Sequence, residues 1–321
     1  MKPIVTVTNI FPQVALDKLS SKYDLKMNRT SLTPEELKQK VLGSDAIISY
    51  LTDRIDQDII ARGTKLKIIA NYGAGFNNVD VTYASERGIW VTNTPNVLHE
   101  TTADLTWAMI LGTARRVVTA DRYVREGKFQ GWGAKLFLGG DVYEKTLGII
   151  GLGEIGRSVA RRAIGFNMRT LYHQRNRLPK KEEQELNVEY VTFEKVLRES
   201  DFLTLHVPLT EATEYLIGND EIALMKKTAY LIHTARGKVV DDYALVAALK
   251  EGRLAGAALD VYENEPEITE GMSELTNLML LPHIGSASFE TRDKMALLVA
   301  DNIIDALSGI TPRSLVPGYP K

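Results

Sequence analysis

Short apolar runs alternate with polar, helix-compatible stretches along nearly the whole chain, a pattern that predicts parallel α/β sheets. In the first third, IVTVTN (4–9), AIISYL (46–51), LKIIANYG (66–73) and WVTNTP (90–95) read as strands. Among them, Thr33-Pro34-Glu35-Glu36 puts a cap, a first-turn proline and a capping-box glutamate in register, which starts a helix. From about Glu100, TTADLTWAMILGTARRVV has apolar residues at helical spacing and predicts one long helix.

A second series begins at Thr146 with TLGIIG, MRTLYH, VEYV, FLTLHV, AYLIHTA, AALDV and LMLLPH. Runs this apolar fit strands covered on both faces. The last helical pattern, from about Ser288, follows this series and is expected to cross back to the first. The expected fold is therefore α/β, with two Rossmann-like or flavodoxin-like parallel-sheet domains. A cofactor domain at 99–288 is inserted into a discontinuous substrate domain, 1–98 and 289–321.

Composition narrows the function without choosing it. The chain has 321 residues, a formal net charge of −2 and no cysteine. The charge gives no general attraction to nucleic acid or to an anionic membrane surface. Thiolate nucleophiles, disulfides and cysteine metal sites are excluded. No apolar run reaches membrane-spanning length, so the expected location is the cytoplasm.

The chemistry starts at a turn. Gly151-Leu152-Gly153-Glu154-Ile155-Gly156 matches G-x-G-x-x-G, closes an apolar run and opens a helical pattern. Gly151 permits the tight turn, Gly153 lets backbone approach a pyrophosphate, and Gly156 lets helix and strand pack closely. The next strand should end about 20 residues on, beside the adenosine ribose. An acidic residue there would bind ribose hydroxyls and repel a 2′-phosphate. This chain has Gln174, Arg175 and Arg177 instead. Two arginines can hold a phosphate dianion by charge-assisted bonds, which favours NADP(H). The alternative is solvated charge in a polar loop beside a glutamine that accepts NAD(H).

Three further residues stand at or just past predicted strand ends: Arg236, Glu265 and His283. In open α/β sheets those ends face the ligand crevice. An arginine, a carboxylate and a histidine converging there suit an oxoacid. His99, His173, His206 and His233 lack metal-ligand spacing and read as packing, loop or strand-end residues, and no metal is expected. The charges of KKEEQELN (180–187) read as a solvated face.

With these pieces in order, the chain resembles the D-isomer-specific 2-hydroxyacid dehydrogenase family nearly end to end. The matching segments are NYGAGFNNVDV, VTNTPNVL, TLGIIGLGEIG, HVPLTEATEYLI, TARGKVVDDYALVAALKEGRLAGAALDVYENEP and LPHIGSAS. HIGSASFETRDKM and NIIDALSGITPRSLV are most similar to its glyoxylate/hydroxypyruvate reductase branch, which includes 2-ketogluconate reductases. The resemblance implies that Arg236 grips the oxoacid and His283 donates a proton, with Glu265 favouring the protonated imidazole. Ala74 and Gly75 N–H groups would cradle the substrate carboxylate, and Asp260 would hold the nicotinamide carboxamide. Thr102, Val207, Pro208, Thr213, Thr234, Ala235 and Gly285 would touch other parts of the cofactor. Phe137 matches a position where some relatives place a tryptophan that reaches a neighbouring subunit. His233 replaces a common asparagine.

The expected activity is NAD(P)H-dependent reduction of glyoxylate, hydroxypyruvate or 2-ketogluconate to the D-2-hydroxyacid, with NADPH preferred. A homodimer through the cofactor domain is implied by the family. A D-lactate-type, NADH-dependent enzyme is the nearer rival. A non-catalytic dinucleotide sensor of the corepressor kind is the more distant one, since fold alone does not establish turnover.

Overall fold

A computed structural model describes residues 2–319 and divides the chain into two compact units. One comprises Met1–Leu98 with Ser286–Lys321, the other His99–Gly285. Ser286–Ser288 go with the first unit rather than the second, because Ser288 caps the helix Phe289–Leu307 with its side chain.

The first unit holds β1 (Ile4–Val7), β2 (Asp24–Met27), β3 (Ala46–Ser49), β4 (Ile68–Asn71) and β5 (Trp90–Thr92). They form a parallel sheet in the order β2-β1-β3-β4-β5, the flavodoxin-like arrangement. The four apolar runs become β1, β3, β4 and β5, and all residues of β3 and β4 are buried. β2 was not expected; its sequence, DLKM, is largely exposed and sits at the sheet edge, where burial leaves no apolar signature. Thr33 and Glu36 close the anticipated capping box on the helix Pro34–Lys40. The helix Phe289–Leu307 packs on the helix Gln13–Ser20 and on β4.

The second unit holds β6 (Thr146–Ile150), β7 (Arg169–His173), β8 (Val188–Tyr190), β9 (Phe202–Leu205), β10 (Tyr230–His233), β11 (Gly256–Leu259) and β12 (Leu278–Leu280). All seven expected strands are present, parallel and ordered β12-β11-β10-β9-β6-β7-β8. The order reverses between β6 and β9, the switch point where Rossmann sheets bind dinucleotides. Alternate residues feed two cores: Leu203, Leu205 and Leu231 face one layer of helices, while Phe202, Ile149 and Ile232 face the other. The long helix is shorter than its apolar pattern. It spans His99–Ala114, and Arg116, in a left-handed conformation, separates it from a second helix, Val117–Arg125.

Candidate active site

The glycine turn is shaped by close approach. Gly151 has φ +91°, and a Cβ there would lie 2.7 Å from the His206 carbonyl oxygen. A Cβ on Gly156 would lie 2.3 Å from the Gly151 oxygen. Gly153 differs: nothing lies within 4 Å of its Cβ position, so the surface above it is open. Gly153 also caps the helix Glu154–Ala163, whose first turn has no side-chain cap. Open space and unpaired N–H groups at a ten-residue helix start are what a pyrophosphate needs, so this turn fits a dinucleotide.

At the end of β7 the three expected residues do different things. Gln174 folds back: its Oε1 accepts the Leu152 N–H at 3.0 Å, and its Nε2 donates to the Asn176 carbonyl at 2.7 Å. It braces the glycine turn against the loop that follows. Arg177 is not the free charge that the loop's composition suggested. Its Nε and Nη2 donate to the two Glu183 oxygens at 2.8 and 2.7 Å, and its guanidinium lies over Tyr190. Glu183 is itself a correction to the solvated face read at 180–187. It is turned inward and buried, and also accepts the Tyr172 hydroxyl at 2.7 Å. The Arg177 bond, and then the Tyr172 bond, hold its carboxyl down at about 2. Arg175 is exposed and has no partner among the described residues.

The other cluster lies at the ends of β10, β11 and β12. His283 Nδ1 and Glu265 Oε2 are 2.8 Å apart, and Glu265 Oε1 accepts the Tyr262 N–H at 3.1 Å. Burial alone would raise the Glu265 carboxyl; the His283 hydrogen bond and charge, Tyr262 N–H and Arg236 outweigh it and keep it below its ordinary range. His283 has φ +55°, a left-handed conformation unusual for its type. Asp260 supports that backbone, its two oxygens accepting N–H from Ile284 and Gly285 at 2.7 Å each. Asp260 is thus first a brace for the His283 loop. A Cβ on Gly285 would meet Asp260 at 3.3 Å and Thr102 at 3.5 Å, which places these three together.

Arg236 follows β10. Its Nη1 donates to the Ala235 carbonyl at 2.6 Å, and among the described residues it has no carboxylate within ion-pair distance. Burial lowers its pKa, and the charge of Glu265 pulls the other way. Thr234 Oγ1 stands 3.4 Å from Thr106, whose hydroxyl also donates to Thr102 O. Thr102, Thr234, Ala235, Asp260 and Gly285 therefore border one region of the second unit. Val207 lies against Gly151, and Thr213 donates to the Pro208 carbonyl at 2.6 Å, which folds that loop on itself. Ala74 and Gly75 belong to the first unit. Their carbonyls accept from Asn93 and Asn71, while their N–H groups have no acceptor among the described residues. Phe137 is held within its own chain by Tyr123 and Arg116.

A residue the sequence reading overlooked is Gly237, where a Cβ would fall 1.8 Å from the Tyr262 oxygen and 2.5 Å from the Glu263 nitrogen. Only a glycine lets the Arg236 turn touch the segment that carries Glu265. A glycine directly after a site arginine was the available signal.

Fold and site together define a dinucleotide-binding oxidoreductase. Residues 107–285 match the model described as "D-isomer specific 2-hydroxyacid dehydrogenase, NAD binding domain". The chain is 50% identical to a glyoxylate reductase of Pyrococcus horikoshii over 322 residues, covering 98% of this chain and 96% of the other. A solved structure of a Thermus thermophilus protein is similar with a TM-score of 0.92 at 41% identity, covering 98% of this chain and 99% of that one. An NADPH-dependent glyoxylate/hydroxypyruvate reductase from Sinorhizobium meliloti, solved with NADP and malonate, gives 0.88 at 32% identity, covering 100% and 98%. The chain belongs to the D-isomer-specific 2-hydroxyacid dehydrogenase family and is an oxidoreductase. Among the described residues, no helix is long and apolar enough to cross a membrane.

Proposed function

We propose that the protein reduces a small 2-oxoacid to its D-2-hydroxyacid, with glyoxylate and hydroxypyruvate as first candidates and 2-ketogluconate next. The observation that carries this reading is the 2.8 Å His283–Glu265 pair beside an arginine that has no carboxylate partner among the described residues. The planar fork of Arg236 grips the substrate carboxylate and polarises the carbonyl. His283 then donates the proton on Nε2 to the carbonyl oxygen, its Nδ1 being held by Glu265. Glu265 stays ionised and offsets the imidazolium charge. In the first unit, the Ala74 and Gly75 amides serve as carboxylate donors. A reduced nicotinamide supplies the hydride when bound.

The cofactor would lie on Gly151–Gly156, with Thr102, Val207, Pro208, Thr213, Thr234, Ala235, Asp260 and Gly285 around it. NADP(H) is preferred in this reading, because Gln174 carries no charge to repel a 2′-phosphate and Arg175 has no partner among the described residues. NAD(H) binds the same frame without that contact. The chain acts as a homodimer through the second unit, on which Val117, Val124, Phe129, Trp132 and Leu138 leave large apolar surfaces exposed. A one-chain mass by sedimentation would remove that part.

The test is kcat/KM for glyoxylate and hydroxypyruvate with NADPH and NADH side by side. A clear NADPH preference is expected. An NADH preference would favour D-lactate-type chemistry, and cofactor binding without turnover on any oxoacid would favour the sensor.

A further inference from the structure

The residue that ends β10, three before Arg236, is a histidine with no exposed surface. Its Nε2 lies 2.8 Å from the Arg236 carbonyl oxygen. A carbonyl can only accept, so Nε2 carries the hydrogen and the ring is the donor. The bond spans the turn Thr234-Ala235-Arg236 and fixes the point where the chain changes from strand to the 3₁₀ turn Gly237–Val239. The same turn is pinned on its other side by Gly237, whose backbone packs directly on Tyr262 and Glu263. Tyr262 in turn donates its N–H to Glu265. The root of Arg236 is thus clamped between a buried imidazole and the segment that carries the carboxylate of the site.

The ring can hold this place beside an arginine because it carries no charge. Burial pushes the His233 imidazole down to about 4; its bonds to the Arg236 and Gly237 backbone oppose this only in part. At neutral pH it adds a donor without adding repulsion to the guanidinium.

We propose that His233 is a positioning residue for Arg236: its Nε2–H fixes the Arg236 carbonyl and thereby the direction in which the guanidinium leaves the turn. It touches neither substrate nor cofactor. The inference rests on the reading of Arg236 as the group that grips the oxoacid. It adds a residue whose effect should appear in oxoacid binding alone. A residue that merely filled the core would lower stability and disturb cofactor and oxoacid parameters together.

The experiment uses the full chain. It measures NADPH Kd by fluorescence and glyoxylate kinetics for His233→Phe, His233→Gln and, as reference, Arg236→Ala. His233→Phe keeps a ring but loses the donor, and should raise the glyoxylate KM about tenfold while NADPH Kd stays within about twofold. His233→Gln places an amide N–H near the Nε2 position and should recover much of that loss. Unchanged glyoxylate KM in His233→Phe, equal shifts in both ligands, or a glutamine variant as impaired as the phenylalanine one would overturn the proposal. The wild-type ring gives a check that needs no variant to fold. Its ¹⁵N shifts must report an Nε2–H tautomer, and an Nδ1–H tautomer overturns the proposal whatever the variants do. If Arg236→Ala leaves oxoacid kinetics intact, the reading of Arg236 itself fails. If Arg236→Ala is impaired and His233→Phe is not, only the role of His233 fails.

Discussion

Two strand ends of the seven-stranded sheet carry arginines, and the two behave in opposite ways. At the end of β7, the Arg177 side chain is about half exposed, yet its fork is bridged to Glu183 by two short bonds. At the end of β10, Arg236 is more enclosed, yet only its Nη1 has an acceptor among the described residues. Exposure is therefore a poor guide to which cation can receive a ligand. Pairing matters as well, because a bridged guanidinium offers a ligand only its remaining N–H groups and a charge already offset by its carboxylate. Glu265, whose charge acts on Arg236, is hydrogen-bonded elsewhere, with one oxygen on His283 and the other on Tyr262. One end has its fork bridged, and the other keeps N–H donors without an acceptor among the described residues.

The largest effect should come from the open end. His283→Ala removes the proposed proton donor but no part of the glycine turn. It should lower kcat for oxoacid reduction by about 10²–10⁴-fold. Stopped-flow titration should find NADPH binding close to that of the parent chain. Turnover within a few-fold of the parent would remove His283 from the chemistry, and with it the functional contrast between the two ends.

The difference between the ends was only half legible in the sequence. The strands of the second unit, the glycine turn and the places of Arg236, Glu265 and His283 could be read directly, since apolar runs and turn glycines report local geometry. Partnership could not. Glu183 sits in KKEEQELN, a run whose composition says solvent. It is turned inward by Tyr172 on β7 and by Arg177 in the following loop, neighbours that only the tertiary fold supplies. Gln174 was read as a ribose-side residue, and its bond to Leu152, which depends on how β6 and β7 pair, could not be read. His233 looked like a strand-end residue, and nothing local revealed that its ring reaches the Arg236 carbonyl. The exposed edge strand β2 and the break at Arg116 escaped for a related reason: neither changes the apolar periodicity.

A smaller effect should separate the two arginines of the β7 loop. Arg175→Ala removes an unpaired charge, and kcat/KM with NADPH should fall about tenfold or more, the usual worth of a charge-assisted bond. With NADH the same variant should be nearly unchanged. Arg177→Ala should behave differently. It strands the Glu183 carboxylate among Tyr172 and the loop, so thermal stability should drop more than NADPH kinetics do. Equal losses of NADPH efficiency in both variants would mean that Arg177 abandons Glu183 when the cofactor binds, and the division into scaffold and ligand would be wrong at this end.

The smallest effect concerns the support of the β10 end. Both ring nitrogens of His206 and the Nδ1 of His233 are buried without a partner among the described residues. Burial holds His206 at about 3 and His233 at about 4; a proton on His233 would depress the former further, and the Arg236 charge depresses the latter. In the unfolded chain both would titrate near the ordinary 6.5. Between those limits the unfolded state binds more protons, so stability is full above pH 6.5 and declines as pH falls. For His233 alone the loss should be on the order of 2 kcal/mol by pH 5. The depressed carboxylates Glu100 and Glu183 do not confuse this window. Their contribution is present above about 4.5 and is lost only as pH falls towards 2. Urea midpoints measured from about pH 7.5 to pH 5 should therefore slope downward in the parent and slope less in His233→Gln, which keeps an N–H near the Nε2 position but cannot titrate. A parent chain as stable at the acid end of that range as at the neutral end would mean that these rings are charged or solvated. The β10 end would then be no better enclosed than the β7 loop.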